Sequence, residues 1–187
     1  MIVQPIGELE FKILSRNGEL ERMFKKPMDS FLRNLPRFLR SSWITQNYPL
    51  YDVGGILRDL TFGFSLRGDG PDSDNNYGIL VGTGTNPVSC LNNALQTKIA
   101  HGNAAGQLYH KATTFSVITE SAPNAYFTIS RNFDNNSGNS ITVKEVGFFL
   151  IYVVSSWYFI LSRDLTGDIE VLNGKTLVAQ YTFKVTA

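Results

Sequence analysis

Residues 146–161 read Val-Gly-Phe-Phe-Leu-Ile-Tyr-Val-Val-Ser-Ser-Trp-Tyr-Phe-Ile-Leu, and the reading of that run decides the fold. As a single helix it spans 16 residues, short of the roughly 20 that cross a hydrocarbon core. Its side chains are mostly β-branched or aromatic, and Ser155-Ser156 falls inside it. Two buried strands joined by a tight turn account for both features. The run is therefore read as a strand pair, and no membrane span is expected.

Outward from this pair the chain keeps the same character. Candidate strands lie at 60–66, 77–82, 107–118, 125–133, 140–151, 157–164 and 176–186. Turn residues separate them: Gly68 to Asn76, Gly82 to Pro87, Asn135 to Asn139 and Leu172 to Gly174. Strands at this spacing without interleaved helices predict an antiparallel β-sandwich. One short helix is expected at 88–100, where Leu91, Ala94, Leu95 and Ile99 share a helical face.

The N-terminal part differs. Residues 8–16 alternate through Leu9, Phe11 and Ile13, and Asn17-Gly18 is a strong hairpin signal leading into a short strand from Glu19 to Phe24. From Pro27 the apolar residues Met28, Phe31, Leu32, Leu35, Phe38 and Leu39 recur at three and four, which predicts an amphipathic helix over 27–40. Pro27 suits a first helical turn and Pro36 would kink or end the helix. Lys25, Lys26, Arg33, Arg37 and Arg40 give it a basic face. The expected organisation is an N-terminal arm, 1–50, carrying the hairpin and helix, and a sandwich domain, 51–187. Two readings of the helix stay open. It packs on the sandwich with its basic face in water, or its stripe docks on a partner, with Phe31, Leu32, Leu35, Phe38, Leu39, Arg33 and Arg37 as interface candidates.

Composition narrows the function. Charged residues are 18% of the 187-residue chain, against about 25% in ordinary soluble domains, so some surface is expected to be covered by partners. The net charge of +1 gives no global basic field for nucleic acid. One cysteine, Cys90, and two histidines, His101 and His110, exclude an intrachain disulfide framework and a Cys-based zinc site. The first residues show no basic segment followed by an apolar core, so no secretory signal is expected.

Motifs with chemical potential are weak. Gly82-Thr-Gly-Thr-Asn-Pro87 follows an apolar strand as a phosphate loop would, but it lacks both a third glycine and a Gly-Lys-Ser/Thr ending; a plain turn is expected. Asp72, Asp74 and Asn76 place oxygens at alternate positions like the start of a calcium loop, although Tyr77 and Thr83 stand where glycine and glutamate belong. They are the one metal candidate, beside a solvated turn. Arg67-Gly-Asp69 reads as turn chemistry, and Asn135-Asn-Ser137 is a glycosylation sequon only in a secretory setting. No nucleophile, base and orienter come together, so no enzyme and no cofactor are expected. Lys144-Glu145 and Arg163-Asp164 border the most apolar strands. If those strands are buried, the charges must reach the surface or pair with each other or across a subunit interface.

Several segments carry a resemblance. Gly78-Ile-Leu-Val-Gly-Thr-Gly-Thr-Asn-Pro-Val88, Leu95-Gln-Thr-Lys-Ile-Ala-His-Gly102, Gly106-Gln-Leu-Tyr109, Phe127-Thr-Ile-Ser-Arg-Asn-Phe133, Ile141-Thr-Val-Lys-Glu-Val-Gly-Phe148 and Asn173-Gly-Lys-Thr-Leu177 resemble a pattern recurring in uncharacterised tailed-bacteriophage proteins. The resemblance implies a virion structural protein of the neck, tail or capsid surface, assembled in the bacterial host cytoplasm, with a β-sandwich used for assembly. It implies a homo-oligomer and other virion proteins as partners, and no small-molecule substrate. A different class of function is a binding module for a host receptor or carbohydrate, with Tyr77, Tyr109, Tyr126 or Trp157 stacking on sugars; for Trp157 core packing is the stronger expectation.

Overall fold

The computed structural model describes residues 7–28, 30–44, 47–60 and 66–186. In chain order the elements are β1 (Gly7–Leu14), β2 (Leu20–Pro27), α1 (Asn34–Ile44), β3 (Tyr48–Tyr51), β4 (Leu57–Leu60), β5 (Leu66–Arg67), β6 (Gly78–Gly82), β7 (Tyr109–Phe115), β8 (Thr119–Ser121), β9 (Asn124–Asp134), β10 (Ile141–Tyr152), β11 (Trp157–Val171) and β12 (Thr176–Thr186). The protein is a mainly β, antiparallel sandwich. One sheet has the order β2-β1-β12-β9-β7 with β8 added on β9; the other is β11-β10 with β5 and β6 both on β10; β3 and β4 form a separate hairpin.

The deciding run forms the β10–β11 hairpin. Tyr152 pairs with Trp157 and Leu150 with Phe159, and Ser156 takes a positive φ of 51° in the turn. Its unbroken hydrophobicity follows from burial on both faces. Phe148 and Leu150 join the main core between the sheets, while Phe149 packs on the opposite side with Leu32, Leu80, Leu95 and Ile160. Strands covered on both faces lose the alternation of a half-solvated strand.

Alternation does survive in β1, where Leu9, Phe11 and Ile13 are buried in the main core. Burying such side chains stabilises by about 1.5–3 kcal/mol each. The Asn17-Gly18 turn forms as its residues predict, with Gly18 at φ 83°. What changes is the place of the hairpin: β1 runs between β2 and β12, paired with β12 from Gly7↔Phe183 to Leu14↔Thr176. Residues 7–14 are thus an interior strand of the sandwich and not part of an appended arm.

The helix begins later than its apolar spacing predicts. Pro27 ends β2 opposite Glu8, and residues 30–32 run along the β11 edge, with Leu32 N donating to Leu161 O and Arg163 N to Ser30 O. Met28 and Leu32 are buried as the helical stripe requires, but by an extended crossover between the sheets. Pro36 falls in the first turn of α1, where its missing N–H is not needed. Lys25 and Lys26 belong to β2, so the basic helix face shrinks to Arg33, beside its start, and Arg37 and Arg40.

Two further expectations change. Residues 88–100 form turns and not a helix; Ser89 and Asn92 compete for backbone groups there, Asn92 Oδ1 accepting from Ser89 N and Ser89 Oγ from Leu91 N. Leu95 and Ile99 are buried as helical spacing would have them, whereas Leu91 is exposed. The strand expected at 60–66 lies mostly outside the described residues, with Leu60 closing β4 and Leu66 opening β5.

Candidate functional site

An apolar groove lies between α1 and the larger sheet. The sheet's inner face there carries Phe115, Phe127, Ile129 and Phe183, and α1 lies across the gap with Leu35, Phe38 and Leu39. Together with Phe148, Leu150 and Leu161 they enclose an open cavity of about 680 Å³. Ser42 supplies the one polar side chain among its described lining residues. The apolar surface extends beyond it, because Ile118 and Val185 flank a second hollow that shares Phe127 and Phe183, and both are exposed. Trp43, next to Ser42 on α1, is 79% exposed.

The interface candidates divide around this groove. Leu35, Phe38 and Leu39 line it. Phe31 packs on Phe183 with ring centroids 6.4 Å apart, at the edge of the same region. Leu32 is buried on the far side of the small sheet and presents nothing to a partner. Arg33 and Arg37 are also committed within the chain. The Arg33 guanidinium lies 3.4 Å from the Tyr51 ring centroid and donates to Asn93 Oδ1 at 2.7 Å; Arg37 donates to Pro49 O. Asn34 fixes the start of α1, its Nδ2 donating to Tyr51 O and Ile160 O while its Oδ1 accepts from Tyr51 N.

The glycine-rich turn after β6 does meet an anion, and that anion is the chain's own. Glu145, buried on β10, accepts from Gly84 N (3.1 Å) and Thr97 N (2.8 Å) through Oε1 and from Gln96 N (3.0 Å) through Oε2. Arg163 Nε completes the shell at 2.7 Å from Oε2. A Cβ on Gly82 or Gly84 would fall 2.6 or 2.4 Å from Oε1, so the two glycines make room for the carboxylate. Arg163 spends its other nitrogens on Asn92 Oδ1 and Asn86 O. The pairing of Glu145 with Arg163 is one of the outcomes their place in apolar strands requires, and it pins residues 83–97 over the small sheet. It is closed to any ligand.

The calcium candidates sit in a loop organised by another buried cation. Arg131 of β9 donates to five carbonyl oxygens, those of Lys111, Pro71, Asp74, Tyr77 and Ile79. Three of these belong to residues 71–77, so the loop wraps a guanidinium where a metal loop would wrap its ion. The carboxylates face elsewhere: Asp72 Oδ2 accepts from the Tyr109 hydroxyl at 2.9 Å, and Asp74 Oδ1 from Asn76 N at 2.6 Å. Among the described residues no cluster of three or more His, Cys, Asp or Glu could hold a metal. Burial lowers the Arg131 pKa to about 10, against the pull of Asp74 and Asp72. Sequence reasoning missed Arg131 as an organiser, although its position betrays it: Phe127, Ile129, Arg131 and Phe133 alternate onto the inner face of one strand.

The remaining motifs are internally satisfied. Arg67 grips Asp69 of its own tripeptide with two donors, at 2.9 and 2.6 Å. Asn135 of the sequon is buried, its Nδ2 donating to Asn139 O and Val171 O. His101 Nδ1 accepts from His110 N, while the His110 ring lies buried under the 70–77 loop. Cys90 is exposed. No described helix is long and apolar enough to cross a membrane.

The shape that emerges is a closed sandwich with internal polar clamps and an open apolar groove. No protein-family model, curated protein or solved structure matches this chain significantly.

Proposed function

We propose that the chain is a structural subunit of a tailed-bacteriophage particle, assembling with its own copies and with other virion proteins in the bacterial host cytoplasm. Its resemblance to tailed-phage proteins and its low charge support that reading. The observation that carries it is the apolar groove between α1 and the larger sheet. An open groove with a nearly all-apolar lining is the kind of surface that marks an interaction site, and subunit interfaces have such apolar centres. The polar groups that would serve chemistry are instead spent on internal clamps: Glu145 on backbone amides, Arg131 on carbonyls, Asp72 on a tyrosine.

The alternative reading as a carbohydrate-binding module finds less in the structure. Tyr77 stacks on Tyr158, Trp157 stacks on Tyr152 beneath the Arg58 guanidinium, and Tyr109 lies under Lys111. These rings have intramolecular partners on the faces a sugar would use.

The test is the solution mass of the full-length protein by light scattering, alongside Leu39→Glu and Trp43→Glu variants. Deleting residues 1–40 would strip β1 and β2 from the larger sheet, so point changes on α1 are the cleaner probe. A multimer of the 20.9 kDa chain that both variants dissociate, with unchanged circular dichroism, supports docking through the groove. A wild-type monomer that also fails to attach to particles lacking it sinks the reading.

A further inference from the structure

We propose that the 70–77 loop is an acid-released latch whose sensor is the buried His110 ring beneath it. The loop is fastened to β7 and β9 by polar contacts. Ser73 N donates to His110 O, Thr113 N to Gly70 O, and Arg131 to the carbonyls of Pro71, Asp74 and Tyr77. The ring of His110 is fully buried, edge-on to Phe133 at 5.0 Å and to His101 at 5.7 Å. Neither ring nitrogen makes a well-formed hydrogen bond. The nearby carbonyl that favours its proton, that of Asp74, already accepts from Arg131. A charged imidazole in this position would have two N–H donors and one nearby acceptor, shared with the Arg131 guanidinium.

The charges around it oppose protonation as well. From β9 comes Arg131, from the preceding segment His101 and Lys98, and all three disfavour a second positive charge. On its own strand Lys111 reaches Asp134, and Tyr109 donates to Asp72. From the loop itself, the Asp72 and Asp74 carboxylates favour the Arg131 charge, but Asp74's carboxylate is turned to the Asn76 and Tyr77 amides. Burial first, then Arg131 and His101, lower the His110 pKa to about 3.

The direction of the response follows. With the latch closed the ring stays neutral; with it open the ring regains the ordinary histidine value near 6.5. Protons then bind the open form selectively, so opening grows as pH falls below about 6.5. Opening would uncover the Arg131 guanidinium, which is 1% exposed in the closed form, beside carboxylates of Asp72 and Asp74 that already reach the surface. The latch does not depend on what the chain assembles with.

Amide hydrogen exchange on the full chain at pH 7.5 and pH 5.0, corrected for intrinsic rates, tests this. The expected result is a loss of protection of about 30-fold at Ser73 and Thr113 between the two pH values, from a level well below that of the β10–β11 ladder, whose amides exchange only through global unfolding. His110→Phe, or His110→Gln should the first fold poorly, is expected to show no such loss. Equal protection at both pH values, the same loss in the variants, or protection at Ser73 and Thr113 as high as that of the β10–β11 ladder would each overturn the latch.

Discussion

Arg163 Nε lies 2.7 Å from Glu145 Oε2, and the two side chains are 1% and 0% exposed. A charge pair at this depth survives because each of its nitrogens and oxygens has a partner: three backbone amides on the glutamate, an amide oxygen and a carbonyl on the arginine. The pair joins neighbouring strands to a long loop that has little regular structure of its own. Removing either partner leaves the other buried and uncompensated. Glu145→Gln or Arg163→Met is expected to cost about 3–5 kcal/mol in urea unfolding, and the double variant less than the sum of the two. Strict additivity would show that the pair is not coupled.

Arg131 invites a sharper substitution. Lysine keeps the charge but offers three donors in place of a five-donor fork, so Arg131→Lys leaves carbonyls of the 70–77 loop unanswered. A loss on the order of 1–3 kcal/mol is expected in thermal or urea unfolding. Because the guanidinium holds this loop, calcium and a chelator should leave the wild-type melting temperature equal. A calcium-dependent rise would return Asp72, Asp74 and Asn76 to the role of ligands.

Asn135 is a sequon residue only in letters. Its side chain bridges Asn139 O and Val171 O from within the sandwich. Asn135→Ala should destabilise by about 1–3 kcal/mol, and secretion from a glycosylating host should add no glycan mass at this position. A glycosylated, folded product would contradict the buried placement.

Global stability should track pH in two stages. His110, lowered to about 3 in the folded chain, contributes stability that is complete above the unfolded value near 6.5 and is lost on acidification toward 3. The loss between pH 6.5 and 4.5 is about 2–3 kcal/mol. Glu10 and Asp52 add to it further down. Burial raises each carboxyl, but Lys12 and Lys25 on Glu10, and Arg58 with the Ile56 and Gly54 amides on Asp52, hold both below their ordinary values. Their contribution is present above pH 4.5 and 3.8 respectively and fades below. In His110→Phe the first stage should vanish and the second remain, read from urea midpoints across the range.

The strands were legible because their signals are local: alternation in β1, turn residues at Asn17-Gly18, and the Ser155-Ser156 break in a run too short to span a membrane. The crossover at 28–33 was not. Met28, Phe31 and Leu32 keep helical spacing, and only the presence of the β11 edge, far along the chain, makes an extended path better than a helical one. Residues 88–100 fail for the same kind of reason: the Gln96 and Thr97 amides are taken by Glu145 rather than by a helix. Of the interface residues, Leu35, Phe38 and Leu39 were readable from their stripe, whereas the commitment of Arg33 and Arg37 to Tyr51 and Pro49 required the tertiary fold.

The pairing of β12 between β1 and β9 carries a consequence in time. Leu9 must find Tyr181, and Tyr181 must also find Ile129, so β1 waits for the much later β12 before its edge has a neighbour on that side. Closing so long a loop is slow compared with forming the β10–β11 hairpin. Until it closes, that edge of β1 lies open to other nascent copies, and the order of synthesis makes that interval part of the life of every copy.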